Sequence, residues 1–107
     1  MKRKYQRIKI HRNYFAENID DETIQEELIQ EGLIGYVWSN RPGDTYVAHF
    51  HSYDKVIVSL EGSINFGFPQ VVEAAHLSAG YRLELPAGIL QDAEVGPRGV
   101  VCYEAHR

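Results

Sequence analysis

From Leu33 to Ala105 the chain is a succession of short apolar runs, each closed by glycine, proline or small polar residues. The turn signals are Arg41-Pro42-Gly43-Asp44, Ser52-Tyr53-Asp54, Glu61-Gly62, Ser78-Ala79-Gly80, Pro86-Ala87-Gly88 and Gly96-Pro97-Arg98-Gly99. Strands between turns spaced about eight to twelve residues apart predict an all-β sandwich or barrel. The expected strands are Leu33 to Asn40, Thr45 to His51, Lys55 to Leu60, Ser63 to Phe68, Val71 to His76, Tyr81 to Leu85, Ile89 to Val95 and Val100 to Ala105. Glu61-Gly62 reads as a tight hairpin turn.

Two elements precede this region. Tyr5 to Ile10 puts Ile8 and Ile10 on one face and Arg7 and Lys9 on the other, the alternation of an amphipathic strand. Asp20-Asp21-Glu22-Thr23 opens a helix, because aspartates there accept from unpaired backbone N–H groups and favour the positive helix end. Ile24 and Leu28 share one face of that helix, and Gly32 suits the left-handed position just past its end. The result is one short N-terminal helix with a narrow apolar stripe. At 107 residues the chain suits a single domain, with strand and helix in 1–32 and a barrel in 33–107.

Cys102 is the sole cysteine, so no disulfide forms within the chain, and a reducing, cytoplasmic setting is expected. Its surroundings, Val100-Val101-Cys102-Tyr103, predict a buried structural thiol. No segment approaches the ~20 apolar residues of a membrane span. The net charge of −4 argues against a general nucleic-acid binder. Six of the eleven basic residues (Lys2, Arg3, Lys4, Arg7, Lys9 and Arg12) form an N-terminal arm, expected to lie against the acidic segment Glu17 to Glu31 that follows.

Chemistry concentrates at His49-Phe50-His51. Histidines at i and i+2 on a strand point to the same side. Gly43 stands six residues before the first and Gly62 eleven after the second. With Gly80, Pro86 and Gly88 downstream, these residues fall on the two motif frames of the cupin superfamily, and together the frames span Gly43 to Val95. The chain resembles a small single-domain bacterial cupin. The resemblance implies a double-stranded β-helix, or jelly-roll barrel, with a homodimer as the usual assembly.

The resemblance also implies a ligand set that this chain does not reproduce. The glutamate of the first motif is replaced by Lys55, the histidine of the second by Gln91, and its asparagine by Val95. Of the four ligands that metal-binding cupins use, His49 and His51 remain. An ammonium at the Lys55 position, ~4 Å from a cation at an effective dielectric of ~20, repels it by about 4 kcal/mol per unit charge. For the barrel itself two functions are open. In the first, the barrel binds a small molecule, with an anion favoured by Lys55, in a pocket formed by His49, His51, Lys55, Gln91, Trp38 and Tyr53. In the second, His49, His51 and Gln91 hold a divalent zinc, iron, manganese or nickel ion in an oxygenase or isomerase type of enzyme; the absence of any cofactor has equal standing.

Among the other candidates, Tyr36, Tyr46 and Tyr103 lie on expected strands and face either the cavity or the core. Glu84 and Asp92 flank the second motif as minor acid–base candidates. His76 is expected at the surface, and His11 and His106 near solvent at the termini.

Overall fold

A computed structural model describes residues 7–15, 19–71 and 73–107. Its elements, in chain order, are β1 (Lys9–His11), α1 (Asp21–Gln30), β2 (Gly35–Asn40), β3 (Thr45–His49), β4 (Lys55–Phe68), β5 (Glu73–Ser78), β6 (Arg82–Leu85) and β7 (Gln91–His106). All strand pairs are antiparallel, in the order β1-β6-β4-β7-β2, with β3 also on β7 and β5 also on β4. The all-β expectation with one short helix therefore holds. The Tyr5 and Gln6 end of the first expected strand, and Lys2, Arg3 and Lys4 of the basic arm, lie outside the described residues. Within the acidic segment, Glu31 pairs with Arg82 and Arg107.

The helix begins where the sequence places it. Asp20 accepts from the Thr23 N–H at 2.8 Å, and Gly32 takes a φ of +92° past the last turn. Ile24 and Leu28 are buried against Phe15, Leu33, Val56, Val58, Leu60, Tyr103 and Ala105. This cluster covers the outer face of β4 and β7. A second cluster, built on Ile57, Ile64, Phe66, Phe68, Leu77, Leu83, Leu85, Ile89, Val95 and Cys102, fills the barrel interior. The stretch Val56 to Leu60 is apolar almost without interruption because both of its faces are covered.

Two expected turns are absent. Glu61-Gly62 does not reverse the chain: β4 runs through it for 14 residues. Gly96-Pro97-Arg98-Gly99 likewise lies within the 16-residue β7. The two long strands stay paired along their length, with register irregularities between Ser59 and Glu61 and between Gly62 and Ile64. Such irregularities let a strand bend from one sheet of a sandwich into the other. Gly62 (φ +72°) and Gly99 (φ +78°) are the bend residues, and a Cβ on Gly62 would lie 2.0 Å from the Gly99 carbonyl oxygen. The local glycine signal is correct, and the tertiary pairing of β4 with β7 decides that it produces a bend.

Candidate functional site

Side-chain alternation along three strands assembles one cavity. On β4, Val56, Val58 and Leu60 face the helix, so Lys55 and Ile57 face inward. On β7, Tyr103 and Ala105 face the helix, so Glu104 and Cys102 face inward. Ile57 lies opposite Glu104, and β2 sets Tyr36 opposite Glu104 and Trp38 opposite Cys102. Tyr103 is therefore not a cavity residue: its hydroxyl accepts from the Gly35 N–H and donates to the Leu33 carbonyl, pinning the start of β2 from outside.

The cavity encloses about 250 Å³. Tyr36, Trp38, Tyr46 and Tyr53 give it aromatic walls, and Ile57, Ile64, Phe66 and Ala93 apolar ones. Its polar atoms come from His49, His51, Lys55, Gln91, Asp92 and Glu104. All six residues singled out for the pocket from the sequence, Trp38, His49, His51, Tyr53, Lys55 and Gln91, line this one cavity.

His51 is not on the strand. β3 ends at His49, after a register irregularity, and His51 sits in the following loop, where its carbonyl accepts from the Gly88 N–H at 2.8 Å. The imidazoles still meet edge to face with centroids 4.9 Å apart. His49 is fixed by its Nδ1, which donates to the Val47 carbonyl at 2.8 Å. His51 Nδ1 shares a 3.0 Å hydrogen bond with the Tyr53 hydroxyl. Burial, and then the charge of Lys55, push the His51 pKa below the ordinary imidazole value, so the ring is neutral near pH 7. Among the described residues, His51 Nε2 and Gln91 Oε1 are buried without a hydrogen-bond partner. Gln91, on β7 opposite His49, is only 3% exposed.

The largest departure from the sequence reading is Glu104. Its carboxylate is 5% exposed and accepts from Tyr36 Oη at 2.9 Å, Trp38 Nε1 at 3.1 Å and His106 Nε2 at 2.8 Å. Lys55 Nζ, on a residue 8% exposed, stands 3.5 Å away. Burial alone would raise the Glu104 pKa, but the His106 hydrogen bond, the Lys55 charge and the Tyr36 hydroxyl outweigh it and hold the pKa below the ordinary carboxylate value. Burial lowers the Lys55 pKa against the opposing pull of Glu104. Burial and the bond to Glu104 raise the Tyr36 phenol to about 12. A lysine on the inward face of an apolar strand requires a counter-charge; that requirement was the available signal for Glu104, the acidic residue on the inward face of the last strand.

His106 is exposed, as expected, and is also held by Glu104 and stacked on Tyr53 with centroids 4.0 Å apart. His11 pairs with Glu84 at 3.1 Å. Glu84 does not line this cavity; it lies among Arg82, Arg107 and His11. Asp92 does line the cavity. His76 is exposed and bonds Asn65 and Ser78. Cys102 is fully buried, and burial raises its thiol pKa to about 12.

Among the described residues the expected metal set, His49, His51 and Gln91, supplies two imidazoles and one neutral amide. Zinc and iron sites use three or more strong protein ligands. Among the described residues, no group of three or more His, Cys, Asp or Glu side chains is placed to hold one. Of the two carboxylates that line the cavity, Asp92 and Glu104, the second is occupied by three hydrogen-bond donors and an ammonium.

No known protein family's sequence profile matches the chain, and no curated protein matches it by sequence. Solved structures do match its shape. A DUF861 family protein from Thermotoga maritima superposes with a TM-score of 0.62 at 13% identity, over 94% of this chain and 99% of its own. An RmlC-like cupin from Shewanella frigidimarina gives 0.57 at 19% identity, over 69% of this chain and 64% of its own. RmlC from Streptococcus suis, in complex with dTDP-D-xylose, gives 0.56 at 19% identity, over 94% of this chain and 61% of its own. The chain thus spans less than two thirds of the Shewanella and Streptococcus proteins. The antiparallel sheet with its two long bent strands and these superpositions lead to one conclusion: the chain has the cupin fold.

Proposed function

We propose that this protein binds a small, neutral, hydroxylated molecule inside its barrel, at the position where the cupin resemblance would place a metal. One observation carries the reading: His51 Nε2 and Gln91 Oε1 are buried, lack partners among the described residues, and belong to side chains that line the same cavity. Each unsatisfied buried polar atom costs about 1–3 kcal/mol. A ligand hydroxyl, which both donates and accepts, satisfies either atom. The aromatic walls suit the apolar faces of a sugar or polyol. A cavity of about 250 Å³ is smaller than the usual drug-sized pocket and favours a compact ligand.

Neutrality is favoured over the anion expected from the sequence. The charge of Lys55 is answered by Glu104 at 3.5 Å, and Asp92 adds a further carboxylate to the lining. An anion would have to compete with Glu104 for the ammonium and approach Asp92. The metal-dependent reading has weaker support, because its donor set is incomplete.

Calorimetry with neutral polyols and small sugars, run beside matched carboxylates and phosphates, tests the proposal. Saturable binding of neutral ligands is expected, weakened about tenfold by Gln91→Leu, the equivalent of one buried hydrogen bond. Binding confined to anions and abolished by Lys55→Met would overturn it.

A further inference from the structure

We propose that Lys55 condenses with the carbonyl carbon of a small neutral hydroxyaldehyde or hydroxyketone held in the barrel, forming an imine, with Glu104 as the counter-charge of the cation that results. The inference rests on the ligand reading above and narrows it to carbonyl compounds. Lys55 and Glu104 line the same cavity as the partnerless His51 Nε2 and Gln91 Oε1. A hydroxycarbonyl compound therefore reaches His51 and Gln91 through its hydroxyls while its carbonyl faces the amine. The ammonium sits 3.5 Å from a carboxylate, which is placed to accompany the cationic nitrogen of an iminium as it does the ammonium. Glu104 is itself positioned by Tyr36, Trp38 and His106, so its geometry is set before a ligand arrives. Burial disfavours the charged form of the amine, which assists attack.

The step balances without any further reactant. Lys55 gives one proton to water, and the neutral Nζ attacks the carbonyl carbon as the C=O π pair moves to oxygen. A proton passes from nitrogen to that oxygen, giving a neutral carbinolamine. Solvent returns a proton to the hydroxyl, water leaves, and the nitrogen lone pair forms C=N. Ammonium and carbonyl become iminium and water, and Glu104 ends as a carboxylate beside the cation it is already placed to accompany.

The test uses the intact wild-type chain and DL-glyceraldehyde with sodium cyanoborohydride at neutral pH, followed by peptide mass spectrometry. Reduction fixes any imine as a stable adduct on its lysine. Lys9, which is exposed, serves as the internal reference. Lys55 is expected to be modified at least about tenfold faster than Lys9, because the cavity holds the carbonyl beside the Lys55 amine while Lys9 meets it only by collision. Excess glycerol, which carries hydroxyls but no carbonyl, is expected to slow Lys55 and leave Lys9 unchanged. Modification of Lys55 no faster than Lys9 overturns the inference. Calorimetry with glycerol on the same protein separates the two failures: if glycerol binds and Lys55 stays unreactive, the imine alone is wrong; if neither glycerol nor glyceraldehyde binds, the ligand reading falls with it.

Discussion

Glu104 receives three hydrogen-bond donors and one ammonium within 3.5 Å, so its removal affects more than one side chain. Glu104→Gln leaves Lys55 buried without a counter-charge, a defect that costs about 3–5 kcal/mol. Urea denaturation is expected to show a loss of that order, with much of it recovered in the double variant Lys55→Met/Glu104→Gln. A loss below 1 kcal/mol, roughly that of a surface pair, would contradict the buried pairing. The same carboxylate makes stability depend on pH. Its folded pKa lies below the ordinary value of 4.5, so the unfolded chain takes up the proton first as pH falls. Its contribution is complete above about pH 4.5 and is lost as pH drops through the folded value. Glu31, lowered by its bonds to Arg82, acts in the same direction. Glu104→Gln is therefore expected to flatten the acid limb of the stability–pH curve without abolishing it. An unchanged limb would mean that Glu104 is not the titrating group. From the sequence, His49, His51, Lys55 and Gln91 stood out because each occupies a motif position. Glu104 did not, because its identity as a site residue depends on Lys55 and Tyr36 meeting it across strands distant in sequence.

Elements were legible where local rules decide and not where pairing decides. The helix start at Asp20, its end at Gly32 and its buried pair Ile24 and Leu28 follow from capping and period. Leu28→Ala is expected to cost about 2–5 kcal/mol as a core truncation, and Ile29→Ala, at a position 48% exposed on the same helix, less than about 0.5 kcal/mol. Equal losses in thermal or urea denaturation would show that the helix does not dock through that face. At Glu61-Gly62 local rules predict a hairpin, yet β7 offers a continuous partner and the strand bends. Gly62→Ala adds a Cβ 2.0 Å from the Gly99 carbonyl oxygen and a left-handed φ penalty, so it is expected to destabilise by several kcal/mol or prevent folding. In contrast, Gly43→Ala, where a Cβ meets open space, carries only the φ penalty of about 1–2 kcal/mol. Similar losses at the two positions would refute the bend.

At the scale of the whole molecule, two apolar clusters share one pair of long strands. The helix side of β4 and β7 anchors the shell, and the opposite side forms the cavity. Arg82, buried at 2% exposure, joins these parts: it makes two 2.8 Å hydrogen bonds to Glu31 at the helix end and lies 3.3 Å from Glu84 on its own strand. The barrel was legible from its turns and from the His49–Gly62 and Gly80–Gly88 frames. The character of its interior was not, because a lone Lys55 reads as a cation and a Lys55–Glu104 pair as a neutral wall. The measurement that tests this account most directly is a high-resolution crystal structure of the protein soaked with glycerol. The account predicts a ligand hydroxyl within hydrogen-bond distance of His51 Nε2 or Gln91 Oε1, with Lys55 and Glu104 still paired. A metal ion bound jointly by His49, His51 and Gln91, or an anion drawing Lys55 away from Glu104, would contradict it.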